Sequence, residues 1–217
     1  DTDTTVSHVD FTLGYDGSVA GGMPIGFEIG VDYIRADTDE YGPIFNGAIF
    51  YDSTFGRISV GAPLNAMDDY VSAPKSRLSS VYLGGLAILT NSYTSLIQIY
   101  EDVPVYGVRF DGSASGVSYG VSYHNFDDGG LETLTLGANY AHNNYVVSGG
   151  YEQFLGEDES SLFGSIEFDF GLFGSQVFVS KPFIGDGMFY QIEGSYAPFE
   201  SVELLSGYAS YAEENLD

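Results

Sequence analysis

Apolar and polar residues alternate along most of this chain with a period of two, the pattern of β-strands that have one greasy and one polar face. In the first run Val9, Phe11, Leu13 and Tyr15 share a face, opposite His8, Asp10, Thr12, Gly14 and Asp16. The second sets Ile25, Phe27, Ile29, Val31 and Tyr33 against Gly26, Glu28, Gly30 and Asp32. About twelve such runs recur, and the pattern predicts further strands over Ile44–Asp52, Phe55–Pro63, Val105–Phe110, Gly116–Phe126, Leu131–Ala141, Tyr145–Phe154, Leu162–Phe170, Gln176–Phe183, Met188–Ala197 and Val202–Tyr211. Each is about ten residues, the length that crosses a bilayer at a tilt.

The connections alternate too. Short, mostly neutral ones lie at Asp52–Gly56, Asp111–Gly116, Asn143-Asn144, Gly171–Gly174 and Pro198–Glu200. Longer or acidic ones lie at Arg35–Tyr41, Asp127–Gly130, Gly156–Ser160 and Gly185–Gly187. Short and long ends in strict turn are what an up-and-down meander produces, with every long loop on one rim. The exception in length is the stretch 64–102, which joins the fourth and fifth strands and has no strand alternation. A structureless connection longer than about 12–15 residues is uncommon in a compact domain and is usually functional. Folded inward, this one would narrow the pore of a β-barrel.

Composition sharpens the choice of class. The chain has 217 residues, no Cys, no Trp, 29 Gly, 18 Tyr and 16 Phe, with 31 acids against 6 Lys and Arg for a formal charge of -25. Aromatic girdles and abundant glycine suit a membrane barrel. So acidic a chain repels phosphate backbones, which argues against nucleic acid as a partner. The longest apolar run, Gly84–Thr90, falls short of the roughly 18–20 residues of a membrane helix. The expected fold is therefore all-β: a transmembrane antiparallel up-and-down β-barrel, one domain over residues 1–217. A secreted acidic β-sandwich or adhesin-type binding protein also alternates, and it is the alternative. Against it, the polar faces carry little Lys or Arg, whereas solvated faces usually mix both charge signs.

Strand parity points Arg57 and Arg109 toward the polar interior, on the two strands flanking the long loop. Two readings stand: they line a narrow passage, or they neutralise interior acids such as Glu28, Asp32 and Glu193. The outer-rim acids Asp127, Asp128, Glu157, Asp158 and Glu159 could hold calcium or magnesium that bridges to lipopolysaccharide, or be solvated. No other cofactor is expected. Catalysis is not expected either. His8, His124 and His142 sit on different strands, and neither a Gly-x-Ser-x-Gly elbow nor a phosphate-cradling loop is present.

Phe55-Gly-Arg-Ile-Ser-Val-Gly-Ala-Pro63 followed by Asp68-Asp-Tyr70 resembles a strand entering the constriction loop of a Gram-negative general porin of the α-proteobacterial type. Pro104-Val-Tyr-Gly-Val-Arg-Phe-Asp-Gly112 running into Gly116-Val-Ser-Tyr-Gly-Val-Ser-Tyr-His124 resembles the hairpin after that loop. The resemblance implies an outer-membrane channel for passive diffusion of small hydrophilic solutes and ions, embedded in lipid and lipopolysaccharide, and a homotrimer. It implies that Asp68 and Asp69 face basic wall residues across an eyelet, with Lys75 and Arg77 anchoring the loop or adding to the basic side. The acidic excess predicts cation preference. The porin resemblance also implies a barrel of about sixteen strands, so that one strand before Asp1 and three after Tyr211 are expected to be missing, although a closed barrel of about twelve is arithmetically possible.

Overall fold

A computed structural model describes residues 6–19, 23–36, 39–40, 44–74, 92–95, 97, 105–126, 130–183, 187–199 and 202–213, with backbone alone for 6–10, 18–19, 23, 32–36, 39–40, 44 and 213. In chain order the elements are β1 (Val6–Tyr15), β2 (Ser18–Val19), β3 (Met23–Ala36), β4 (Asp39–Glu40), β5 (Ile44–Ser53), β6 (Gly56–Ala62), α1 (Ala66–Tyr70), β7 (Val105–Ala114), β8 (Val117–Phe126), β9 (Glu132–His142), β10 (Tyr145–Phe154), β11 (Ser160–Asp169), β12 (Phe173–Lys181), β13 (Gly187–Phe199) and β14 (Val202–Glu213). The two-residue strands β2 and β4 pair only with β3. The other twelve form one antiparallel meander in chain order, β1-β3-β5-β6-β7-β8-β9-β10-β11-β12-β13-β14. All twelve alternating runs are strands.

The period-two faces set the register. Phe11, Leu13, Ile29, Phe45, Ile49, Val60, Val108, Leu136, Ile192, Leu204 and Tyr208 are exposed on one face. On the other face Ser59, Arg109, Ser122, His124, Thr133, Thr135, Ser148, Glu152, Gln176, Gln191 and Glu193 are buried. This sheet is inverted relative to a soluble one: its greasy face is open and its polar face is covered.

The cover is the connection after β6. Asp69 is ion-paired to Arg109 on β7, while three residues later the carbonyl of Ser72 accepts from Gln176 Nε2 on β12 at 2.7 Å. Five strand spacings separate β7 from β12, roughly 24 Å in a flat sheet at about 4.8 Å each. Residues so close in sequence reach both only because the sheet curls around them. Met67 and Val71 then pack against Phe163 and Phe178, which form a cluster with Phe189, so the polar face carries a buried apolar seat beneath the connection.

Several expected boundaries differ: β12 already begins at Phe173 and β13 runs on to Phe199, inside stretches that read as connections. Residues 111–116 read as a loop, yet β7 continues to Ala114, with Asp111 opposite Gly120 and Ala114 opposite Val117. The turn is only Ser115 and Gly116, both at positive φ (53° and 82°), as a tight hairpin whose twist matches its strands requires. The connection 64–102, expected to lack regular structure, contains α1 and a helical stretch at residues 93–95.

Candidate functional site

A helix of five residues is far too short to be stable alone, so α1 exists because its ends and faces are held. Asn65 caps it, its Oδ1 accepting from the Met67 N–H at 2.7 Å. The Ala66 N–H donates to Ser122 Oγ on β8 at 3.0 Å, and Asn139 Nδ2 on β9 donates to the Tyr70 carbonyl at 3.4 Å. Before the helix, the Pro63 carbonyl meets His124 Nε2 at 2.9 Å. The Leu64 carbonyl accepts from Arg109 Nη1 at 3.1 Å.

These anchors bring Asp69 and Tyr70 against the wall of β7. The buried Arg109 donates from Nε to both oxygens of Asp111, at 2.8 and 3.0 Å, and from Nη2 to Asp111 Oδ1 at 2.6 Å. Its Nη2 also donates to Asp69 Oδ2. The Tyr70 hydroxyl donates to Asp111 Oδ1 at 2.9 Å. Burial, then that hydrogen bond, pushes the Tyr70 phenol up to about 12, so it remains a donor at neutral pH. Asp111 thus collects donors from wall and helix, and it escaped the sequence reading because Asp111–Gly116 has loop composition. Inward parity from Arg109 was the signal that could have found it.

Arg57, one strand away, donates to Asp52 at 2.8 and 2.9 Å and to Asp16 at 3.3 Å. Its guanidinium lies 3.7 Å from the centre of the Phe50 ring. Both arginines, with Glu28, Asn46, Ser59, Asp69, Tyr70 and Asp111, line one open cavity of about 380 Å³. Among the described residues, three carboxylates (Glu28, Asp69, Asp111) and two guanidinium groups therefore border the same space.

The remaining predicted residues fall elsewhere. The expectation that Asp68 and Asp69 both face wall cations is divided by the fold. Asp69 contacts Arg109 directly, without a gap between them. Asp68 accepts from the Ser92 N–H at 2.9 Å and from the hydroxyls of Ser92 and Ser95 at 2.5 Å each, bracing one limb of the connection against the other. Glu193 has inward parity but is 4% exposed, with Gln191 Nε2 donating to it at 3.3 Å; it is covered and does not face open space. Asp32 pairs through its backbone with Asp10 and Ile44, and its side chain lies outside the described residues. So do Lys75, Arg77, Asp127 and Asp128. Glu157, Asp158 and Glu159 are exposed at the turn after β10. Among the described residues no group of three or more acids and histidines is placed to hold a metal.

A further residue, Glu152, was not singled out in the sequence. It is fully buried on β10. Its Oε2 accepts from the Tyr93 N–H at 2.7 Å. Its Oε1 accepts from the Thr94 N–H at 3.1 Å, the Thr94 hydroxyl at 2.6 Å and Asn65 Nδ2 at 3.3 Å. One wall carboxylate therefore gathers both limbs of the connection. Beside it Tyr93, Phe154 and Phe183 pack as an aromatic trio with centroids 4.2 to 4.4 Å apart.

No protein-family model and no curated protein matches the chain. Solved structures do. Two engineered variants of Rhodopseudomonas blastica porin align over 98% of this chain and 77% of theirs, with TM-scores of 0.68 and 0.63 at 16% and 14% identity. A third variant aligns over 94% of this chain and 85% of its own, with a TM-score of 0.57 at 15% identity. At these identities the likeness is one of fold.

Proposed function

We propose, from a chain with the porin fold, that this protein forms a water-filled channel in the outer membrane of a Gram-negative bacterium and passes small hydrophilic solutes and ions by passive diffusion. The observation that carries the reading is the inverted sheet: apolar side chains open to the outside, polar ones turned toward a space that residues 63–74 partly fill. Lipid suits the first face and water the second. No covalent step is needed, because a narrowing lined by charge sorts solutes by size and sign.

The cavity beside α1 is the narrowing in this proposal, with Arg109 and Arg57 on its wall and Asp69 on its inward side. Its described charged residues, three carboxylates against two guanidinium groups, are net negative, and the chain's overall charge of -25 has the same sign. Cations concentrate where carboxylates are in excess, so the channel prefers them.

Reversal potentials of single channels in a planar bilayer under a potassium chloride gradient test this. Discrete steps with cation preference are expected from the parent protein. Asp69→Asn removes one carboxylate while Arg109 keeps Asp111, so the reversal potential shifts toward zero. Protein shown to be folded that gives no steps overturns the channel, and steps with anion preference overturn the charge assignment.

A further inference from the structure

We propose that Gly137 sets the aperture beside α1, acting as a spacer of zero thickness between helix and wall; this rests on the channel reading above. Three glycines on the covered face stand side by side across three strands: Gly120 on β8 pairs with Gly137 on β9, which pairs with Gly150 on β10. All three are buried. None has a positive φ, so backbone conformation does not call for glycine at any of them. Glycine inside a strand lacks a side chain to pack and loses more entropy on folding than alanine does. Something else in the fold must use the missing side chains.

What uses them is α1. A Cβ on Gly120 would come within 2.6 Å of the Tyr70 ring, and one on Gly150 would meet Met67 Cγ and Val71 Cγ2 inside 3.0 Å. At Gly137 the obstacle is backbone: the added atom would meet the carbonyl carbon and oxygen of Ala66 inside 3.0 Å. The distinction decides the effect. A ring or a methionine chain turns aside, whereas a carbonyl in the first residue of the helix moves only if the helix moves. To restore ordinary contact α1 has to leave the wall by roughly 1 Å, as overpacked side chains force backbone shifts elsewhere. Held on the wall side, it can move only toward the open space, which narrows.

Gly149 supplies the control, since it lies next in sequence but on the exposed face, where a Cβ would meet only Phe163 O at 3.7 Å. Gly137→Ala, Gly150→Ala and Gly149→Ala are compared with the parent by single-channel conductance and by hydrogen exchange of residues 64–74 in detergent. Gly137→Ala is expected to lower conductance and the size limit for neutral sugars, and to speed exchange of the Ala66 and Ser72 amides, whose acceptors are wall hydroxyls. Gly150→Ala gives a smaller loss and Gly149→Ala none. Unchanged conductance and exchange in Gly137→Ala overturn the spacer. A rise in conductance also overturns it, because the helix would then be released and not displaced. If Gly137→Ala does not fold, a loss of conductance in Gly150→Ala but not in Gly149→Ala still upholds the row, and equal behaviour of the two sinks it. A silent parent with faster exchange in Gly137→Ala would refute the channel while leaving the spacing of helix and wall intact.

Discussion

At the scale of single residues, Arg109 decides more than any other side chain described. It is 8% exposed, and its two carboxylate partners differ: Asp111 is 18% exposed and Asp69 48%. A buried charge deprived of its partner is far more costly than an exposed one. Arg109→Ala leaves Asp111 with the Tyr70 hydroxyl as its described donor and is expected to destabilise the protein by about 3 kcal/mol. Asp69→Asn leaves the Arg109–Asp111 pair whole and is expected to cost under about 1 kcal/mol. Urea titration of protein refolded into lipid vesicles measures both; equal losses would mean that the pair to Asp69 carries the stability. Parity alone placed Arg109 inward, because a strand offers only two directions. That Asp111 holds it was hidden by an Asp-Gly-Ser stretch whose local preference is for a turn, overridden here by pairing with β8.

At the scale of elements, the described parts of the connection after β6, α1 and the helical stretch at 93–95, are bound to the wall and to each other. Asp68 joins the pieces and Glu152 ties both to β10. Glu152→Gln retains one acceptor oxygen, which can serve Thr94 and Asn65, but turns an amide NH₂ toward the Tyr93 N–H. The Tyr93 N–H then loses its carboxylate acceptor and faces a second donor, at about 1–3 kcal/mol. Residues 92–95 are therefore expected to exchange amide hydrogens faster in Glu152→Gln, with the pairing of β9, β10 and β11 protected as before. Loss of protection throughout those strands would make Glu152 a general stability residue and not a clasp. Neither α1 nor the helical stretch at 93–95 was legible in the chain, since each is held by groups distant in sequence, Ser122 and Glu152 among them.

At the scale of the whole molecule, the open greasy face predicts where charge is tolerated. Ile192 is 57% exposed in the middle of β13. Ile192→Arg is expected to cost about 2–4 kcal/mol in a bilayer, as lipid-facing basic substitutions do near the membrane centre. Urea titration from vesicles measures it. A soluble β-sandwich whose exposed face meets water would accept the same substitution almost without cost, so a negligible change would favour that alternative.

The twelve strands of the meander, their antiparallel order and their greasy and polar faces were readable from the chain, because a strand's alternation is local and a meander joins neighbours in sequence; the two-residue β2 and β4 were not. Ser59, Arg109, Ser122 and His124 all lie on the face that counting by two assigns them. Contacts between the 64–74 segment and the wall were not readable, because they depend on the curl of the sheet, which brings β7 and β12 to within a few residues of one another along the connection. That curl put Asp69 on Arg109, turned Asp68 toward Ser92, and used three paired glycines as the bed of a helix. Side-chain direction follows from two adjacent residues; side-chain partnership follows from the path of the whole sheet.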